Sequence, residues 1–223
     1  MDPFETYPVP IHPLLPKKEA VVVEREVGAI TLEVVFHGPG ISRDEQSSYA
    51  ADVLFRILNN PTSNFQKNLV DSGLFTQCNL SYLPQNYTGP INIYAETDVD
   101  HFYAAKDALM EEIDKFDDQG YFSKGEMDNA MSSIKVERVY DTELTSVLTS
   151  GIGPISVSKT IPSCWAISGL DYYLGYIENI SHVMLDDLKV FIDNYICTKP
   201  FVMGVLISPK DRTTLELKEE SLL

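Results

Sequence analysis

Short runs of this sequence alternate hydrophobic with polar residues or are rich in Val and Ile, and both patterns favour β-strands. The predicted strands cover residues 20–27, 29–36, 75–82, 90–96 and 201–208. Gly28 joins the first two, and the turn-rich segment 84–89 joins the next two. Consecutive strands with short connections favour an antiparallel or mixed sheet.

Other segments repeat apolar residues at the i, i+3, i+4, i+7 spacing of an amphipathic helix. The first predicted helix begins with a capping box formed by Ser42 and Glu45 and ends at Asn59. A second capping box is predicted at Ser123 and Glu126. The remaining helices are predicted at 62–72, 98–116, 165–180 and 185–196, and residues 148–162 are predicted to form a loop.

This order of strands and helices predicts an α+β fold, with an antiparallel or mixed sheet and the helices mainly on one face. A chain of 223 residues that is 44% hydrophobic fits one domain, which we place at 19–209. Repeated prolines predict an extended arm or linker at 1–18. A linker at the very start suggests that another part precedes it, and the charged tail at 210–223 is expected to fray.

The chain is strongly acidic, with a net charge of −16. This charge repels phosphate, so nucleic acid and anionic membrane surfaces are not expected as partners. No stretch reaches the roughly 20 apolar residues that cross a bilayer. No cationic and apolar leader follows Met1, which leaves two alternatives, a cytoplasmic protein or a leaderless fragment of a periplasmic or otherwise exported one.

The histidines do not form a helical zinc motif. Such a motif needs two imidazoles at i and i+4 with a carboxylate beside them. No two histidines are close enough in sequence to share a helical turn; they are His12, His37, His101 and His182. We therefore expect no metal site in this chain.

The cysteines and one histidine are the other candidates for catalytic chemistry. Cys78, Cys164 and Cys197 form no CxxC pair, so we interpret them as buried thiols. A second interpretation, in which His182 is the general base for one of these cysteines, stays open. A solvent-facing histidine is favoured over it.

Acidic and aromatic side chains also cluster on predicted helices. The adjacent Glu111 and Glu112 point about 100° apart on a helix, so we interpret them as a solvated face. Tyr172, Tyr173 and Tyr176 are interpreted as half-buried packing with hydrated hydroxyl groups.

Several motifs, taken in their order and spacing, resemble the pitrilysin/insulinase family of zinc metallopeptidases, which includes the mitochondrial processing peptidases. They are Gly38-Pro39-Gly40 with Asp44, Ala51-Asp52-Val53-Leu54 through Ile57-Leu58, Leu69-Val70-Asp71-Ser72-Gly73-Leu74, Tyr173 through Ile180 to Asp186-Asp187-Leu188, and Tyr195 before Lys199-Pro200. The similarity extends from Ala20 to about Pro209.

The resemblance implies a protein built from paired halves, of which only the N-terminal half carries the inverted zinc motif His-x-x-Glu-His. In a catalytic half that motif lies on the helix after the second strand. Here that helix reads Tyr49-Ala50-Ala51-Asp52-Val53, without an imidazole. The chain is thus similar to the C-terminal, non-catalytic half, and zinc is expected only in a partner half.

The resemblance also implies two lost polar groups. Active members of the family carry Leu-Arg-x-x-x-Gly-Leu-x-Tyr in the non-catalytic half, and its arginine and tyrosine reach the partner's active site. If Gly73-Leu74 matches the Gly-Leu of that pattern, Leu69 stands at the arginine position and Thr76 at the tyrosine position. Neither side chain can stabilise an oxyanion as the originals do.

The leading hypothesis is a catalytically inactive half that pairs with a zinc-bearing half, on the same or a separate chain, to form a peptide-binding chamber. The alternative is a purely structural interaction subunit, like the core proteins of respiratory complexes that resemble the same family. An independent enzyme ranks third. We assign no catalytic residue to the chain, leave a peptide substrate open, and expect self-association through an exposed apolar surface.

Overall fold

The structure, a computed structural model, describes residues 12–147, 165, 166 and 168–223. Its strands are β1 (Glu19–Glu24), β2 (Ile30–Gly38), β3 (Gln77–Tyr82), β4 (Gly89–Thr97) and β5 (Phe201–Ile207). Its main helices are α1 (Glu45–Leu58), α2 (Asn64–Gln66), α3 (Phe102–Asp114), α4 (Lys124–Val147), α5 (Leu170–His182), α6 (Leu185–Tyr195) and α7 (Pro209–Leu215). A π turn, Lys67–Asp71, continues α2, and 3-10 turns lie at Lys115–Asp117 and Glu219–Leu222.

The strands form one mixed sheet in the order β1-β5-β2-β4-β3. β1 runs parallel to β5, and all other neighbours are antiparallel. The α+β prediction is confirmed. The two strands joined at Gly28 are not neighbours, however, because β5 lies between them, and Arg25 donates its backbone N–H to the Ile207 carbonyl at 3.1 Å.

The two faces of the sheet differ in burial, because successive side chains of a strand point to opposite faces. One set is buried against the helices and is called the covered face: Ile30, Leu32, Val34, Phe36, Ile91, Ile93, Ala95, Phe201, Met203, Val205 and Ile207. The alternate set is half-buried or exposed and is called the open face: Val21, Val23, Thr31, Glu33, Val35, His37, Asn92, Tyr94, Val202, Gly204 and Leu206.

The start of α1 differs from its prediction. Asp44, rather than Ser42, is the N-cap, and its carboxylate accepts the backbone N–H of Ser47 at 3.1 Å. The hydroxyl of Ser42 instead donates to the Asn86 carbonyl at 2.6 Å. Tyr195 donates to the other oxygen of Asp44 at 2.7 Å, so this cap also ties α6 to α1.

The other helix signals mostly agree with the structure. Gly73 follows the π turn with φ of 82°, as expected for a left-handed C-terminal cap. The predicted apolar stripe of α3 is buried: Phe102, Ala105, Leu109, Ile113 and Phe116. Ser123 and Glu126 form the predicted capping box before α4, with bonds of 2.9 and 3.2 Å between side chain and backbone.

The second half of the chain differs from its predictions at α5 and in the tail. Helix α5 covers Leu170–His182 rather than 165–180. The predicted loop at 148–162 lies outside the described residues. The tail, which is predicted to fray, forms α7 and a 3-10 turn, and Leu217 between them and Leu222 in the turn are buried. Its apolar residues are few but pack against the core, which outweighs its charge.

Some backbone groups on each edge of the sheet are paired with side chains. Along β3, the amide of Asn59 accepts the N–H of Leu80 at 2.8 Å and donates to its carbonyl at 2.7 Å, and Gln66 donates to Cys78 at 2.8 Å. Along β1, Glu219 accepts the N–H of Val22 at 3.3 Å. Edge groups that are paired in this way do not recruit another strand.

Candidate functional site

Helix α1 occupies the position at which the resemblance places a zinc motif. Its residues Tyr49, Ala50, Ala51 and Val53 are buried, and only Asp52 among them is partly accessible. Across the part of the chain that the structure describes, no three His, Cys, Asp or Glu side chains are arranged to hold a metal ion. The residues present therefore do not fit a catalytic zinc, which takes three protein ligands and a water.

Asp52 instead takes part in a group of charged and aromatic side chains between α1, α4 and α5, the Asp52 cluster: Asp52, Arg56, Glu137, Arg138, Tyr173 and Tyr176. The Tyr176 hydroxyl donates to Asp52 Oδ2 at 2.6 Å. Arg56 forms an ion pair with Glu137. The Arg138 guanidinium lies 4.3 Å from the centre of the Tyr173 ring and 5.1 Å from that of Tyr176.

Burial raises the pKa of Asp52 to about 6, although the Tyr176 hydrogen bond and the positive charges of Arg56 and Arg138 act against this rise. The pKa of Tyr176 is raised by burial and by the neighbouring Asp52 charge. A polar cleft of about 470 Å³ opens beside Asp52, lined by Arg56, Asn59, Ser81 and Ser133 among others. The cluster offers charge pairing between helices but no free nucleophile.

The sequence indicated Asp52 only as a carboxylate on the first helix. Its partners come from α4 and α5, far along the chain, so no local motif could have shown the cluster. Packing is confirmed for the tyrosines, since the rings of Tyr49 and Tyr172 stack with centroids 5.4 Å apart. The prediction of hydrated hydroxyl groups is not met at Tyr176, whose hydroxyl donates to Asp52.

The structure separates the environments of Leu69 and Thr76. The side chain of Leu69, on the π turn, is fully buried in the core. Thr76 is exposed before β3 and bonds to the Glu96 carbonyl through its N–H at 2.8 Å and its hydroxyl at 3.2 Å. That these are degenerate substrate-anchoring positions stays a prediction.

Two histidines that are distant in sequence come together. The rings of His12 and His37 have centroids 5.2 Å apart, and His37 Nε2 lies 3.1 Å from Thr88 Oγ1. Burial, and then the charge of His12, lower the pKa of His37. His12, in the described part of the arm, thus lies at one end of the open face, where residues 12–16 help to line an apolar cavity of about 520 Å³.

The prediction of buried thiols is confirmed for Cys78, whereas Cys197 is only half-buried. Cys78 is buried, which raises the pKa of its thiol to about 12, and burial raises that of Cys197 to about 11. Neither thiol is activated as a nucleophile. Cys164 lies outside the described residues.

Glu112 was wrongly interpreted as part of a solvated face. It is 1% exposed, and its carboxylate accepts from Asn68 at 3.1 Å, Lys115 at 2.9 Å and Tyr121 at 2.6 Å. Asn68 lies in the π turn, and Lys115 and Tyr121 lie in the turns that follow α3. The Glu112 carboxylate therefore forms a structural junction between these elements. Glu111 is exposed as predicted.

Comparison with known proteins identifies the family. The profile of the Peptidase M16 inactive domain matches residues 3–134, and the chain belongs to this family. The family agrees with the sequence motifs, and its description as an inactive domain agrees with the prediction that the chain is not itself a peptidase. No curated protein sequence matches the chain.

Solved structures share the fold at low sequence identity. A protease from Helicobacter pylori is similar with a TM-score of 0.72 and 16% identity over 86% of this chain and 45% of that one. An inactive peptidase domain from Bordetella parapertussis is similar with a TM-score of 0.67 and 16% identity, over 83% of this chain and 94% of that one. A chain of complex III2 from Candida albicans is similar with a TM-score of 0.69 and 15% identity, over 92% of this chain and 48% of that one. The chain thus spans about half the length of the first and third of these proteins.

The described helices include none that is both long enough and apolar enough to cross a membrane.

Proposed function

We propose that this chain is the inactive half of a paired M16 peptidase and that it packs against a zinc-bearing half to close a peptide chamber. The observation that carries the proposal is α1, which holds the zinc-motif position but has no imidazole there. The metal and the water activation would then come from the partner half, on the same or a separate chain. The order of parts is an arm at 1–18, the domain at 19–209 and the tail.

The open face supports a role as a chamber wall. Val21 is 47% and Val23 41% exposed on it. Grouped exposed apolar residues are typical of surfaces that bind another molecule. We expect the isolated chain to self-associate through such residues when the partner half is missing.

The experiment is reconstitution with a candidate half that carries His-x-x-Glu-His. We expect a complex in size-exclusion chromatography with light scattering, and turnover of a fluorogenic peptide only by the complex. A variant of the candidate half without its first motif histidine should still associate but lose turnover. Chelator-sensitive hydrolysis by this chain alone would contradict the proposal.

A structural interaction subunit without any peptidase partner is the second candidate. The similarity to a chain of complex III2 favours it, as does the burial of Leu69, because a core position cannot present an arginine to a substrate. Stable association with a partner that lacks His-x-x-Glu-His, without turnover by any assembly, would support this second function over the first.

A further inference from the structure

A hollow of about 310 Å³ lies in the middle of the open face, where β5 carries Gly204. The residues on either side of it on this face, Val202 and Leu206, are large and apolar. The walls of the hollow include Val21, Val23, Thr31, Glu33, Tyr94 and Leu206. The missing side chain of Gly204 therefore leaves a depression in an otherwise apolar strip.

The fold does not require glycine at this position. A Cβ on Gly204 would have its nearest neighbours, both atoms of Glu33, at 4.0 Å, which is ordinary contact. By contrast, a Cβ on Gly38, Gly40 or Gly89 would come within 2.5, 2.1 and 2.5 Å of another atom. Gly204 also lacks the positive φ of Gly73.

Glycine in a strand nonetheless reduces stability by roughly 0.5 to 1 kcal/mol relative to alanine. A strand glycine without a steric reason often marks close approach by a ligand or another backbone.

The chemistry of the walls is mixed. Val21, Val23 and Leu206 provide an apolar side, and Glu33 adds a half-buried carboxylate. Among the described residues, no cationic side chain forms an ion pair with Glu33. Tyr94, beside it, donates its hydroxyl to a second carboxylate, Glu96. An apolar wall beside an unpaired acid suits a group with an aliphatic stem and a cationic end.

We propose that the Gly204 hollow is a socket for a lysine or arginine side chain of an extended peptide lying along the open face. The aliphatic stem packs against the valines and Leu206, and the cationic end pairs with Glu33. The net charge of −16 favours the approach of such a peptide. This proposal rests on the peptide-chamber function.

The test measures binding of two labelled, terminally blocked peptides to the full chain by fluorescence anisotropy. The peptides differ only at one central residue, lysine or norleucine, which keeps the stem and removes the charge. We expect the lysine peptide to bind about fivefold more tightly, as for a partly exposed ion pair. Glu33→Gln should abolish this preference, and Gly204→Val should weaken both peptides by filling the hollow.

Matched controls are Glu111→Gln, which removes an exposed carboxylate elsewhere, and Gly28→Val in an open loop. Both should bind like the parent chain, and thermal unfolding should show Gly204→Val to be folded. If both peptides bind equally and neither open-face variant changes binding, the socket is wrong while peptide binding stands. If neither peptide binds to the chain alone or to its complex with a zinc-bearing half, both the socket and the chamber fail.

Discussion

The covered and open faces of the sheet are made by alternate residues of the same strands, yet they differ in every property that bears on function. On β2, Val34 is fully buried against the helices, whereas its neighbour Val35 is only half-buried. The covered face is uniformly apolar. The open face mixes valines with Glu33, Tyr94 and a glycine that the fold does not need.

This difference separates what holds the domain together from what it does. Burial on the covered face accounts for the stability of the fold, and substitutions there are limited by packing. The open face contributes less to stability, which leaves its composition free to serve the binding proposed above. The following experiments compare the two faces and the helix layer.

The largest expected effect comes from the same substitution at neighbouring positions of β2. Val34→Ala should reduce the free energy of unfolding by about 2 to 3 kcal/mol, because it removes buried methyl groups and leaves a cavity. Val35→Ala should cost less than about 1 kcal/mol. Urea denaturation measures both. Equal losses would show that the open face is buried in solution, for instance by self-association.

A smaller effect is expected in the helix layer over the covered face. Glu112→Gln should reduce the unfolding free energy by about 1 to 3 kcal/mol, since a neutral amide cannot accept from Asn68, Lys115 and Tyr121 as the carboxylate does. The exposed neighbour offers the control, and Glu111→Gln should change stability by no more than about 0.5 kcal/mol. A neutral effect of the Glu112 variant would mean that the junction is not formed in solution.

Much of the fold was accessible from sequence because its signals are local. Strand alternation, the α3 stripe, the capping box at Ser123 and the cap at Gly73 depend on residues a few positions apart, and all agree with the structure. The insertion of β5 between β1 and β2 depends on contacts between the two ends of the chain. Local periodicity carries no information about that pairing.

The site was less accessible. The spacing of the histidines predicts that the sequence contains no helical zinc motif, and the absence of a bound metal stays a prediction. The burial of Glu112 could not, because Tyr121 and Asn68 reach it from separate segments. Gly204 carries no signal until the structure shows that a Cβ would fit there.

The third comparison concerns pH and the Asp52 cluster. The pKa of Asp52 is raised from 3.8 to about 6 on folding, so the native state favours its neutral form. The neutral form of Asp52 therefore adds to the free energy of unfolding. This contribution is fully present below pH 4 and is lost as pH rises through 6. The Asp52→Asn variant has no ionisable group at this position. Its free energy of unfolding should therefore exceed that of the parent chain by about 1 to 2 kcal/mol above pH 7.

The difference between the Asp52→Asn variant and the parent should vanish near pH 4, as measured by urea denaturation across this range. A parent chain more stable than the variant at pH 7 would instead show that the pairing with Arg56 and Arg138 outweighs burial.

The smallest effect is expected for zinc. His12 and His37, at one end of the open face, supply at most two ligands, and even a catalytic zinc site takes three from the protein. Dialysis against micromolar zinc should leave no stoichiometric metal after a chelator wash. Zinc should also stabilise the chain by less than about 0.4 kcal/mol, the value for a ligand present below its Kd. Elemental analysis and Tm measure the two outcomes, and His37→Asn is the control for weak binding at this pair. One tightly held zinc per chain, unaffected by that substitution, would contradict the inactive assignment, because it would require a metal site elsewhere in the chain.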